Sequence, residues 1–112
     1  MIRESEARVL LERLVRRLAY AGEGDYRTQL VGITMTRIDD DGSFSLTPAS
    51  PPESKRETGM LIEAEAIDID GFRIDCLLHA RDGLISELEF VRLDGEAVKG
   101  TLRSDEFVIE YP

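Results

Sequence analysis

The sequence predicts an α+β domain: one N-terminal amphipathic helix packed on one face of an antiparallel β-meander of five to seven strands. Three observations predict it. An apolar stripe of helical period runs from Ala7 to Ala21. From Thr28 onward the apolar period changes to two. Asp-Gly pairs then recur at Asp70-Gly71, Asp82-Gly83 and Asp94-Gly95, each 12 residues after the last, which is the spacing of turns between short antiparallel strands. At 112 residues the chain has a single-domain length, and residues 1–112 read as one domain.

The helix spans residues 5–21. Ala7, Leu10, Leu11, Leu14, Leu18 and Ala21 share a face, Ser5 serves as N-cap and Gly22 as the stop. Glu4/Arg8 and Glu12/Arg16 pair at i, i+4, and Arg13, Arg16 and Arg17 suit the negative end of the helix dipole. A hairpin follows over 28–47, with Val31, Ile33 and Met35 in its first strand, a turn at Asp39-Asp40-Asp41-Gly42, and Phe44 and Leu46 in its second. Residues 48–59 form a Pro-rich polar loop, the segment expected to be most mobile.

The meander occupies 60–111. Met60, Ile62, Ala64 and Ala66 form one apolar row, Phe72, Ile74, Cys76 and Leu78 the next, and Leu84, Leu88 and Phe90 a third, all at even positions. Three-residue loops ending in Gly (Ile69-Asp70-Gly71, Arg81-Asp82-Gly83, Leu93-Asp94-Gly95) keep even positions facing even ones. The helix then covers the even face. Phe107, Ile109 and Tyr111 suggest a last strand, which the pattern does not place.

The same register fills the opposite face with charge. Asp75 is expected between Glu65 and Glu89, Lys99 beside Glu89, Leu77 between Glu63 and Glu87, and Arg73 beside Ile67 and Val91. Leu61, Ile67, Leu77, Ile85, Val91 and Leu93 interleave with these groups, more apolar surface than a lone monomer should leave open. Three readings fit such a face: a solvated surface, a docking surface for a basic partner, or carboxylates around a divalent cation. The partner-binding candidates are Glu63, Glu65, Arg73, Asp75, Leu77, Glu87 and Glu89.

Composition narrows the function classes. The formal charge is −9, apolar residues make up 42% and charged residues 33%, a globular balance rather than a disordered one. Residues 1–27 carry +1 and residues 28–112 carry −10, a surface that repels phosphate backbones and suits a basic protein. No apolar run approaches a membrane span, and the charged start Met1-Ile2-Arg3-Glu4-Ser5-Glu6 has no signal-like apolar segment behind it. With the lone Cys76, this reads as a cytoplasmic protein that binds neither nucleic acid nor membrane.

Catalytic chemistry finds no support. His79 is the one histidine, expected outward near Leu61 and Ile85, while Cys76 points to the core, so no nucleophile–base pair forms. One His and one Cys fall short of a zinc set, and no metal or cofactor is assigned. Asp39–Gly42 and Asp68–Gly71 lack the Gly and Glu positions of an EF-hand and are turns. Asp75 and Glu89 have the spacing of a glycosidase acid pair but no cleft around them. No phosphate loop or dinucleotide fingerprint is present.

The stretch Ile85-Ser86-Glu87-Leu88-Glu89-Phe90-Val91-Arg92-Leu93-Asp94, with the ending Glu110-Tyr111-Pro112, resembles small uncharacterised bacterial domains, domains of unknown function built as one short helix plus an antiparallel sheet. Size, acidity and layout are similar to the immunity proteins of bacterial toxin systems. That resemblance implies a toxin-binding inhibitor without catalysis and transfers no functional residue. The expectation is a small, acidic, non-enzymatic binding protein that engages a basic protein through its acidic sheet face. The alternatives are a self-associating structural domain (a homodimer) and a small-ligand or cation-binding domain.

Overall fold

The structure, a computed structural model, describes residues 1–39, 42–49 and 57–110. The centre of the expected Pro-rich loop, Asp40 and Asp41 of the expected turn, and Tyr111 and Pro112 lie outside the described residues. Helix α1 spans Glu4–Tyr20. Six strands follow: β1 Thr34–Arg37, β2 Phe44–Thr47, β3 Gly59–Ile67, β4 Arg73–Arg81, β5 Leu84–Arg92 and β6 Val108–Glu110. They form one antiparallel sheet in the order β1-β2-β5-β4-β3-β6. The α+β expectation holds. The structure also supplies the order that the sequence left open: the first hairpin attaches to β5, and the last strand crosses to β3.

Helix α1 starts earlier than the Ser5 cap suggested. Arg3 is the N-cap, without a side-chain hydrogen bond. The stop is as read: Gly22 adopts φ +76°, Glu23 N–H bonds Leu18 O and Gly22 N–H bonds Ala19 O, a double closure that only a left-handed residue permits cheaply. Ala7, Leu10, Leu11, Leu14, Val15 and Leu18 are buried. They share a core with Ile62, Ala64, Ala66, Ile74, Cys76, Leu78, Leu88 and Phe90 on the covered face of the sheet. Ala21, by contrast, is exposed. Arg13 is tied to the C-terminal segment, donating to Ser104 O at 2.5 Å and Phe107 O at 3.1 Å. Ile2 forms a parallel bridge with Leu102, and the Phe107 ring meets Phe90 edge-on at 5.6 Å.

From Ile62 to the turn the β3–β4 register is the expected one, whereas an irregularity between Met60 and Ile62 sets Met60 opposite His79 and leaves it exposed instead of in the core row. Ala66 faces Ile74, Glu65 faces Asp75, and Asp68 and Phe72 close the turn with Gly71 at φ +90°. The β4–β5 register is not. Asp82 and Gly83 both take positive φ (52° and 82°), so the loop has two residues of type I′ rather than three. An extra β5 residue opposite His79/Ala80 then restores the parity. Gln29, buried in the short 3-10 turn Arg27–Leu30, holds this bulge: its Nε2 donates to Gly83 O at 2.7 Å and its Oε1 accepts from Ile85 N–H at 2.9 Å. Three corrections follow. Ile85 turns into the core, Leu84 is only half-buried, and β5 slides two residues along β4, so that Asp75 faces Val91, Leu77 faces Glu89 and His79 faces Glu87.

The first strand of the expected 28–47 hairpin begins only at Thr34, after the 3-10 turn, which leaves Val31 exposed and Ile33 outside the strand. The corrections at Phe72 and Lys99 centre on one residue. Arg92, which the sequence reading did not assign to the core, is buried at 1% exposure. Its Nη1 reaches Asp68 and Asp70 at 2.9 Å, and its Nε and Nη2 grip Asp94 at 3.0 and 2.5 Å. Its guanidinium also covers the Phe72 ring at 4.7 Å, which leaves Phe72 48% exposed instead of in the core. Asp68 takes further N–H bonds from Ile69, Lys99 and Gly100 at 2.8, 2.7 and 2.7 Å. A Cβ at position 100 would stand 2.7 Å from Ile69 Cγ2 and 3.0 Å from Asp68 Oδ1, so any side chain there would force these groups to shift. This capture pulls residues 93–103 away from the sheet. Lys99 therefore pairs with Asp70 at 3.3 Å and forms no strand beside Glu89.

Candidate functional site: the uncovered face of the sheet

Helix α1 covers the even positions of β3 and β4, so the odd ones project from the other side. One row reads Val108, Glu65, Asp75, Val91 across β6, β3, β4 and β5. The next reads Glu110, Glu63, Leu77, Glu89. A third carries His79, Glu87 and Ser45. All seven residues expected on this face are there and half-buried. The bulge redistributes them: Glu65 and Asp75 are neighbours as expected, whereas Glu89 leaves Asp75 and Glu87 leaves Leu77.

The face has two electrostatic ends. At one, Arg73 lies among three carboxylates: Asp75 at 2.7 Å, Glu65 at 2.9 Å and Glu110 at 3.5 Å. The Arg73 guanidinium is held more firmly in its charged form, chiefly by the Asp75 hydrogen bond. Glu65 behaves oppositely. Its hydrogen bond to the Glu110 carboxyl, with some desolvation, pushes its carboxyl above the usual glutamate range despite Arg73. At the other end, His79 Nε2 stands 2.9 Å from Glu89 Oε1. Among the described residues neither Glu63 nor Glu87 has an ion-pair partner.

Apolar surface sits at the Arg73 end. Ile67, Leu93 and Val108 are 60–66% exposed. Ile67 and Val108 join Glu65 and Glu106 around a shallow groove of about 350 Å³. Ile85, expected among the outer apolar residues, is absent from this face because the bulge turns it inward. On the helical side, Arg13, Arg16, Arg17, Tyr20 and Ile109 line an open groove of about 330 Å³. Cys76 is wholly buried, and desolvation raises its thiol well above the ordinary value, so it offers no nucleophile.

Sequence reasoning placed the carboxylates on one face but missed the grouping of His79 with Glu87 and Glu89, and it missed Glu110 as a partner of Arg73. The first depends on a bulge set by Gln29, more than fifty residues away in sequence. The second depends on β6 choosing β3.

Residues 1–101 match the family Domain of unknown function (DUF6984), and the chain belongs to that family. No curated protein and no solved structure matches it. No helix among the described residues is long and apolar enough to cross a membrane.

Proposed function

We propose, with that membership as premise, that this protein is a non-enzymatic binding module whose uncovered sheet face engages a basic protein, in the manner of an immunity-type inhibitor. The observation that carries the reading is the gathering of Glu63, Glu65, Asp75, Glu87, Glu89 and Glu110 on one open face, with Arg73 already shared by three of them. Such a face focuses a negative potential that speeds encounter with a cationic partner and repels nucleic acid. The groove of Glu65, Ile67, Glu106 and Val108 suits a lysine or arginine side chain, with apolar surface for its stem and carboxylates for its head.

The test compares wild type with Glu65→Lys/Glu89→Lys as baits in cell lysate, in low-salt buffer containing EDTA. A basic protein retained by wild type, released by a high-salt wash and lost from the double variant supports the reading. Equal retention by both baits overturns it, provided circular dichroism shows the variant folded. A second reading, self-association, is favoured by the exposed Ile67, Leu93 and Val108. Sedimentation over a range of concentrations decides it, and a strictly monomeric chain removes it.

A further inference from the structure

The His79 end of the face has a different chemistry from the rest. His79 on β4 stands directly opposite Glu87 on β5, and Glu89 lies one row along the same strand. One ligand atom from each of the three falls within 4.8 Å of the others, and all three side chains are half-buried. The geometry points to a divalent transition-metal site in which His79 Nε2 and the carboxylates of Glu87 and Glu89 bind an ion of the Zn²⁺ class. This goes beyond the docking reading and does not depend on it.

Three features distinguish this group from a patch of surface acids. The first is the imidazole nitrogen, a donor that favours zinc, cobalt or nickel over calcium and magnesium, which seek six or more oxygens. The second is charge. Glu87 and Glu89 are close like charges, and among the described residues neither is paired with an arginine or lysine. The third is the bulge. Without the extra residue the Asp82-Gly83 turn would set His79 opposite Ser86 and Glu87 opposite the core residue Leu78, and the ligand set does not form. The extra β5 residue, fixed by the buried Gln29 amide, brings Glu87 opposite His79. Bulges often re-aim side chains in this way beside functional sites.

Bonds of about 2.0–2.2 Å place tetrahedral ligand atoms roughly 3.3–3.5 Å apart. The ligand atoms, now within 4.8 Å of one another, must draw together to that spacing when the ion binds. The protein supplies three ligands and the fourth position opens to solvent, so a water completes the shell.

The experiment is calorimetric titration of the untagged full chain, stripped with EDTA and dialysed, against ZnCl₂. Visible absorption with CoCl₂ reports coordination geometry. The site requires one Zn²⁺ per chain, with CaCl₂ bound at least about 100-fold more weakly. His79→Gln and Glu87→Gln should each weaken Zn²⁺ by about 10-fold or more, while Glu63→Gln on the same face stays within about twofold. Absence of Zn²⁺ and Co²⁺ binding overturns the inference. So does binding that His79→Gln leaves unchanged, or calcium bound as tightly as zinc. Thermal melts of the metal-free variants confirm that they fold. Because partner capture is done in EDTA, either proposal can fail while the other stands.

Discussion

Two arginines in this molecule each serve three carboxylates, and the two arrangements do opposite jobs. Arg92 holds Asp68, Asp70 and Asp94 with its own side chain fully buried. Arg73 holds Glu65, Asp75 and Glu110 on the open face, with its side chain 37% exposed. The difference lies in what else satisfies the acids. Asp68 also accepts three backbone N–H bonds, so its charge is coordinated on all sides. Around Arg73 the acids compete, and Glu65 is left leaning on another carboxyl. The same ratio of charges makes a structural clamp where the acids meet backbone, and a field-bearing surface where they meet water.

The comparison is broken most directly at the clamp. Arg92→Met leaves the buried Asp68 carboxylate without its cation and should cost about 3–5 kcal/mol, read as a fall of roughly 15 °C in Tm. A Tm within a few degrees of wild type would show that the backbone donors alone hold Asp68. Asp68→Asn removes the charge but keeps the shape, and should cost about 2 kcal/mol at neutral pH by urea unfolding.

Acid separates the two regions by sign. Burial alone would raise the Asp68 carboxyl, but the N–H groups of Lys99, Ile69 and Gly100 and the Arg92 guanidinium outweigh it and lower it to about 2. Asp70 and Asp94 are lowered as well, with Arg92 hydrogen bonds prominent in both. A depressed carboxyl contributes stability that is complete above the ordinary aspartate range and is lost as pH falls toward 2. Glu65 runs the other way: its raised carboxyl takes up a proton on mild acidification and relieves the contact with Glu110. The urea midpoint should therefore hold or rise slightly from neutrality to about pH 5 and drop steeply below about pH 4. Asp68→Asn should flatten that acid limb, and Glu65→Gln should leave it intact.

The smallest effect belongs to the surface. Arg73→Gln should move Tm by no more than about 3 °C. A drop comparable with that of Arg92→Met would mean that the outer face carries structure rather than function.

The contrast also explains what the sequence could and could not tell. The helix stripe, the β3–β4 register and the shared outer face follow from local pattern, because each needs only a period and an adjacent Gly turn. Arg92 stands at an even position of β5, but an arginine there was not read as core, and its partners were not legible. Asp68, Asp70 and Asp94 look like turn residues, and turn chemistry explains them without reference to an arginine. The β4–β5 slide was not legible, because two-residue and three-residue Asp-Gly loops share a sequence signature and Gln29 decides between them from outside the hairpin. Lys99 was misplaced for a similar reason: an apparent meander continues only if nothing competes for its backbone, and Asp68 does.

The stitching of α1 to the last segment has a kinetic consequence. Ile2 against Leu102, Ser104 N–H on Glu6, and Arg13 on Ser104 and Phe107 all join residues about a hundred positions apart. The β3–β4–β5 unit, by contrast, closes through short turns. Loop closure over such a span is entropically late, so the central three strands should assemble first, and the helix, β6 and the strap between them should dock together as one cooperative unit. Under native conditions the same unit should open first, and amide exchange in α1 and in 102–110 would then report a single shared opening event.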